Sequence, residues 1–397
     1  MSAKLAIEGG TPVRETMLPY GHQLVDETDV QAVAEVLRSD YLTTGPKVEE
    51  FERACANLVG AKHAVAVSSG TAALHTAMYA VGIGPGDEVV VPAMTFAASA
   101  NCVVFQGGTP VFADVDPETL LLDPKQLEKK ITSHTKVILP VDYAGQPCRY
   151  DELRSIAQQH GIVLVADACH AFGGAYKGSS VGSLADLNAF SFHPVKHITT
   201  GEGGVITTDD PRLAARMRIF RNHGITTDHR QRDEQGSWFY EMIDLGCNYR
   251  LTDLQCALGL SQLRKLPTWL SRRREIAQFY DSALKDLSSV SPLTVREDVN
   301  HAYHLYVICL ESSELRATRS EIFTALRAEG IGVNVHYIPV HLHPYYRQHF
   351  GTGPGDCPVA EAVYEQLITL PLFPAMKDKD AKDVIDALSK VCAAYAS

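Results

Sequence analysis

Several signals are missing from this sequence of 397 residues. No run of about 18 apolar residues occurs, so no membrane-spanning helix is expected. The opening stretch MSAKLAIEGGTPVRETMLPY lacks a long apolar core, so no secretory signal is expected either. The nine cysteines are odd in number, scattered, and without a CxxC pair. That spacing argues against a disulfide framework and suits the reduced thiols of a cytoplasmic protein. Positive charge is in deficit: 36 Lys and Arg stand against 47 Asp and Glu, for a net charge of −11. A general binder of nucleic acid or anionic membrane would carry the opposite balance, although a local basic pocket remains compatible. Internal repeats, low-complexity tracts and long flexible linkers are also lacking.

What is present reads as a globular α/β chain. Hydrophobic residues make up 45% and charged residues 21%, enough to bury a large core. From about residue 60 to 220, short apolar runs alternate with helix-like stretches. The strand-like runs are AVAV (64–67), EVVV (88–91), PVFADV (110–115), KVILPV (136–141), GIVLVAD (161–167), NAFSF (188–192) and GVITT (204–208). They are apolar on both faces, which implies a mostly parallel sheet covered by helices, hence a three-layer domain. Asp123-Pro124 and Asp210-Pro211 each supply a cap and a first-turn proline for a helix. A helix is expected over 251–266, stopped by Pro267, and a second over 270–287. Beyond that, HAYHLYVICL (301–310) and IGVNVHY (331–337) read as strands. RSEIFTALRAEG (319–330) and the stretches near 359–367 and 379–394 read as helices. The expected division is a large domain over 1–265, N-terminal segment included, and a smaller C-terminal α+β domain over 266–397.

Three stretches carry chemistry. SSGTAAL (68–74) follows a strand and opens a helix, where free backbone N–H groups and hydroxyls can cradle a phosphate. The same Ser and Thr also suit an ordinary helix cap. Asp167 ends an apolar strand, the edge of an open α/β sheet at which ligands bind, and a carboxylate there can pair with a cationic ring nitrogen. It would serve equally as a cap. Lys196 lies in FSFHPVKHITTGEGG, between an apolar run and a glycine cluster. A lysine amine in such a place is costly unless paired, neutralised or used covalently, and it can form an imine with an aldehyde. Ser191, five residues earlier, offers another phosphate-binding hydroxyl. Together, a phosphate cup, a strand-end carboxylate and a later lysine match the three needs of pyridoxal 5′-phosphate (PLP). A metal is not expected: His301/His304 and His341/His343 are spaced without a completing Cys or Asp set.

Over essentially its whole length the chain resembles the DegT-type sugar aminotransferases of the fold-type I PLP superfamily. The matching stretches are SSGTAAL, GDEVVVPAMTFAASANCV, PVFADVD, VDYAGQP, DACHAFGGAYKG, FSFHPVKHITTGEGGVITTDD, RNHGI, LGCNYRLTDLQCALGLSQLRKL and VHYIPVHLHPYY. VDYAGQP and FSFHPVKHITTGEGG are most similar to the transaminases of the pseudaminic acid pathway, which aminate C4 of a UDP-linked 4-keto-6-deoxy-N-acetylhexosamine.

The resemblance implies roles. Lys196 would bind the cofactor aldehyde, and Asp167 would salt-bridge the ring nitrogen. Ser69, Gly70, Thr71 and Ser191 would hold the phosphate, and Phe96 would stack on the ring. His170 stands where many relatives have glutamine, near the cofactor's 3′-oxygen; both side chains can donate a hydrogen bond. Asn248 would reach the phosphate of a neighbouring subunit, making the active site a shared one in a homodimer. His193, Arg250, His336, Tyr337 and His341 would face substrate, and the amino donor would be L-glutamate. Competing readings are a sugar dehydratase, whose lysine is typically replaced by histidine, an aminotransferase for a dTDP- or GDP-sugar at C3 or C4, and a non-catalytic PLP-binding regulator. Lys196, with His197 beside it, favours transamination.

Overall fold

The computed structural model describes residues 4–397 apart from 228 and 235. Its main sheet has seven strands: β1 (His63–Val67), β2 (Glu88–Pro92), β3 (Thr109–Ala113), β4 (Thr135–Ile138), β5 (Val163–Asp167), β6 (Leu187–Ser191) and β7 (Gly204–Thr208). Their spatial order is β1-β7-β6-β5-β4-β2-β3. Strands β2 to β6 pair in parallel, and β7 runs antiparallel to both its neighbours. The seven apolar runs of the sequence are these strands. Both faces are buried, as their composition requires. Val65 and Val67 pack under the helix Gly70–Val81 with Val165 and Leu187, while Ala64 and Ala66 face Phe190 and Phe192 on the other side. Parallel strands align their carboxyl ends, so Asp167 and Ser191 emerge from one edge of the sheet.

The C-terminal third forms a second unit around a three-stranded antiparallel sheet of Val290–Pro292, Tyr306–Leu310 and Leu367–Leu370. The helix Leu266–Leu284 leads into this unit, and Asp378–Ala394 packs against it. The N-terminal segment, expected with the large domain, packs here instead. Leu5 and Leu18 join the C-terminal core, the buried Glu329 carboxylate accepts from the Ala6 and Val13 amides, and Arg14 pairs with Asp380 and Asp383. Charges distant in sequence give no sequence-level sign of this pairing.

Other boundaries differ from expectation for local reasons. Pro267 does not stop a helix; it lies in the first turn of Leu266–Leu284, where its missing N–H is no loss. The preceding helix is Asp253–Leu263, started by a capping box between Thr252 and Gln255. The expected helix near 359–367 is Pro358–Tyr364, its Val359 and Ala360 amides capped by Asp114, and Leu367 already belongs to a strand. IGVNVHY is not a strand: it makes only isolated bridges at Ile331 and Asn334. In HAYHLYVICL only Tyr306–Leu310 pairs, and HAYHL forms a loop.

That loop is pinned by Arg273, which is only 1% exposed. Its Nη1 donates to the carbonyls of Tyr303, His304 and Leu372, and burial without a carboxylate pushes its pKa down to about 10. Removing the guanidinium would leave those carbonyls unsatisfied. Arg273→Ala is expected to destabilise the protein by about 3 kcal/mol, read as a lowered midpoint in urea unfolding.

Candidate active site

The carboxyl edge of the large sheet opens into a cavity of about 630 Å³, closed on its far side by residues of the C-terminal unit. Lys196 lines it. Its stem is partly accessible from the cavity, while the amine is surrounded by protein. Burial pushes its pKa below the 10.5 of a free lysine, against the opposing pull of Cys169 and Asp167. The amine therefore loses its proton more easily than an exposed lysine would, as an imine-forming nucleophile requires.

Asp167, at the end of β5, is held from both sides. Ser99 Oγ donates to Oδ2 at 2.6 Å and the Cys169 amide to Oδ1 at 3.2 Å. With the Ser99 proton used on Asp167, Thr95 donates to Ser99 at 2.7 Å. Ser99 lies in the first turn of the helix Ala98–Phe105 and Thr95 in the bend that leads into it, so the chain's turn brings both hydroxyls to one point. The carboxylate keeps capacity for one further donor, such as a protonated ring nitrogen.

On the other side lies a phosphate-sized cradle. Ser69 caps the helix Gly70–Val81, its side chain accepting from the Ala72 amide at 3.0 Å. The first-turn amides of Gly70 and Thr71 precede the helical ladder and point out of the helix N-terminus. Ser191 faces them from β6. A Cβ built on Gly70 would meet Ser191 Cβ at 2.7 Å and Cys169 Sγ at 3.3 Å, so only glycine lets helix and strand approach this closely. The cradle, Asp167 and Lys196 fit PLP in charge and order: anion site, acceptor for the ring nitrogen, amine for the aldehyde. Gly70→Ala is expected to weaken PLP binding about tenfold, roughly 1.4 kcal/mol, in an absorbance titration of cofactor-free protein.

The remaining expected residues divide. Phe96 is 58% exposed at the cavity wall, its ring 5.8 Å from that of Tyr337. His170 is buried, with Nε2 3.1 Å from the Tyr337 hydroxyl, and burial keeps its pKa well below the usual imidazole value. His336 also lines the cavity; its Nδ1 contacts Thr369 Oγ1 at 2.9 Å, and burial pushes its pKa down to about 4. His193 is exposed at the cavity mouth. His341, expected to face substrate, is fully buried outside the cavity, and its Nε2 donates to Glu361 at 2.8 Å. The short 3-10 helix Val340–Leu342 turns both Val340 and His341 to the core, His341 beside Phe112, a structural position. Asn248 and Arg250 do not line the Lys196 cavity. Asn248 is exposed, and Arg250 donates to Asn222 at 2.7 Å within a separate cavity of about 350 Å³.

The structure adds residues that motif reading passed over. Tyr20 reaches the cavity from the N-terminal segment. His304 brings Nε2 to 3.4 Å from the Lys196 amine. No sequence signal marked Tyr20, and His304 stood out only through its three-residue spacing from His301, which points to a metal rather than to Lys196.

A buried lysine that can take an aldehyde, a carboxylate with room for a ring N–H and an anion-sized cradle at the carboxyl edge of such a sheet are what a PLP-dependent enzyme of fold type I requires. Comparison with known proteins agrees. The model of the DegT/DnrJ/EryC1/StrS aminotransferase family matches residues 23–389. Spore coat polysaccharide biosynthesis protein SpsC of Bacillus subtilis (strain 168) is 45% identical over 380 residues, covering 95% of this chain and 98% of that protein. Among solved structures, the candidate sugar aminotransferase Spr1654 of Streptococcus pneumoniae in its PMP form superimposes with TM-score 0.90 at 36% identity, covering 95% and 99% of the two chains. Helicobacter pylori PseC, an aminotransferase of pseudaminic acid biosynthesis, does so with TM-score 0.89 at 33% identity, covering 96% and 100%. The chain belongs to the DegT/DnrJ/EryC1/StrS aminotransferase family. It is a PLP-dependent sugar aminotransferase.

Proposed function

We propose that the enzyme moves an amino group from L-glutamate to C4 of a UDP-linked 4-keto-6-deoxy-N-acetylhexosamine, as a cytoplasmic homodimer with shared active sites. The observation that carries the substrate reading is the match to PseC over 96% of this chain and 100% of that one. The cavity agrees in kind: aromatic faces at Tyr337 and Tyr20 suit a sugar ring, and His193, His336 and Asn334 supply polar contacts. Among its lining residues Lys196 is the sole Lys or Arg. A diphosphate and a donor carboxylate are both well served by a cation, and Arg250 and Asn248, which lie away from their own cavity, support the reading in which a second subunit brings one. Exposed Trp238, Phe239, Met242, Ile243 and Leu245, a few residues before them, form an apolar stretch suited to that contact. Among the described residues no helix is long and apolar enough to cross a membrane.

When bound, PLP supplies an aldehyde that condenses with amines and a ring that accepts an electron pair from the neighbouring carbon. The chain's own groups do the rest. Ser69, Gly70, Thr71 and Ser191 would anchor the phosphate, and Asp167, aimed by Ser99, would hold a proton on the ring nitrogen. Lys196 would supply the amine for the aldehyde and, with that amine free, would move a proton to or from the neighbouring carbon. His170 orients the 3′-oxygen, and Phe96 covers a ring face. Donor and acceptor use the same site in turn, giving ping-pong kinetics. Steady-state assays with L-glutamate and UDP-, dTDP- and GDP-linked 4-keto sugars test the substrate. Turnover confined to the dTDP or GDP compounds would remove the UDP assignment and leave the aminotransferase.

A further inference from the structure

Lys196 needs a place to go when it is not bonded to the cofactor. In the structure its amine donates toward one side-chain atom, Nε2 of His304, at 3.4 Å. We propose that His304 is the acceptor that receives the released Lys196 amine and holds it beside the reacting carbon, which makes His304 a positioning residue for the proton transfer. The inference rests on Lys196 being the amine that binds PLP.

The chemistry of the ring supports an acceptor and excludes an acid. His304 is buried, and its Nδ1 has no hydrogen-bond partner. Its ring lies 4.4 Å from that of His170, whose Nδ1 is likewise buried and unpartnered. Lys196, His170, His197 and Arg273 all oppose a positive charge on it, and burial opposes it most. An imidazolium there would carry N–H on both nitrogens and leave no lone pair to accept from the lysine. The neutral ring must keep its proton on Nδ1 if Nε2 is to accept from the lysine.

The loop that presents His304 is built for placement. Tyr303 takes a left-handed backbone, φ +49°, unusual for a non-glycine residue. The Ala302 and Leu305 amides donate to Gly145 and Ala144 at 2.9 and 3.1 Å, pinning the loop to the turn after β4. A Cβ on Gly145 would stand 2.8 Å from the Tyr303 amide nitrogen and 2.9 Å from that of His304. The buried Arg273 binds the loop carbonyls from the other side. A guanidinium buried without a carboxylate is costly, and here it fixes the backbone on which His304 stands.

The test compares His304→Phe and His304→Gln with the parent protein. Glutamine places an acceptor near the position of Nε2, and phenylalanine fills the space without one. In His304→Phe, the L-glutamate half-reaction followed in the visible spectrum should slow about a hundredfold, with half-saturating glutamate changed less than about twofold. Capture of PLP by cofactor-free protein should slow as well, and glutamine should recover most of both rates. Parent-like rates in His304→Phe, or equal losses in both variants, overturn the proposal. Borohydride trapping of PLP on Lys196 in the same samples, located by peptide mass, separates a failure of His304 from a failure of the Lys196 assignment. If phenylalanine prevents folding, a crystal structure of the parent with the aminated cofactor decides. Nζ of Lys196 within hydrogen-bond distance of His304 Nε2 is the expected result, and an amine directed elsewhere refutes it.

Discussion

Lys196→Ala should yield a folded protein that binds PLP without a covalent link and turns over no keto sugar at a detectable rate. Two losses combine. The amine that binds the aldehyde is gone, so donor glutamate must condense with free aldehyde. The base that moves the proton is gone as well, and a positioned base contributes up to about 10⁴-fold. The expected fall in kcat is on the order of 10⁴-fold. Added methylamine should restore a fraction of it, because the cavity has room for a small amine where the stem stood. The pH dependence of the parent follows from the same group. Burial lowers the Lys196 pKa below 10.5, so the neutral amine persists to lower pH than in a free lysine. The rate of the proton-transfer step should therefore rise with pH and level off before that value is reached. Parent-like activity in Lys196→Ala would remove the lysine from the mechanism.

The second large effect concerns Asp167. It is the carboxylate at the end of β5, bound by Ser99 and the Cys169 amide, with capacity left for a ring N–H. Asp167→Ala should lower kcat on the order of a thousandfold, because an unprotonated ring accepts electrons poorly. Reconstitution with a cofactor analogue methylated on the ring nitrogen, which carries a fixed positive charge, should recover part of that loss. Ser99→Ala should produce a smaller loss of the same kind. It removes one donor that aims the carboxylate and leaves the carboxylate itself.

How much of this could be read from the chain depends on the distance over which each feature is encoded. The seven strands of the large sheet are short apolar runs buried on both faces, and each appeared as such. Asp167, Ser191 and the Ser69 cap stand at strand ends or a helix start, places set by local sequence, and they meet at one edge because parallel strands align there. The C-terminal unit was less legible. Its N-terminal segment is tied in by Glu329 and by Arg14 pairing with Asp380 and Asp383, contacts spanning hundreds of residues. His304 looked like the edge of a strand, because HAYHL has strand composition, yet Arg273 and the Gly145 turn force it into a loop. His341 shares a motif with cavity residues but points to the core, a matter of side-chain direction that the motif does not record.

The central claim is that one amine, Lys196, carries PLP between an amino donor and a keto sugar. The most direct measurement is the visible spectrum of the purified protein through one full cycle. The band of lysine-bound PLP should disappear on addition of L-glutamate alone and return when a UDP-linked 4-keto-6-deoxy-N-acetylhexosamine is added. A protein that shows no such band even after incubation with PLP, or whose band no amino donor alters, would contradict the account.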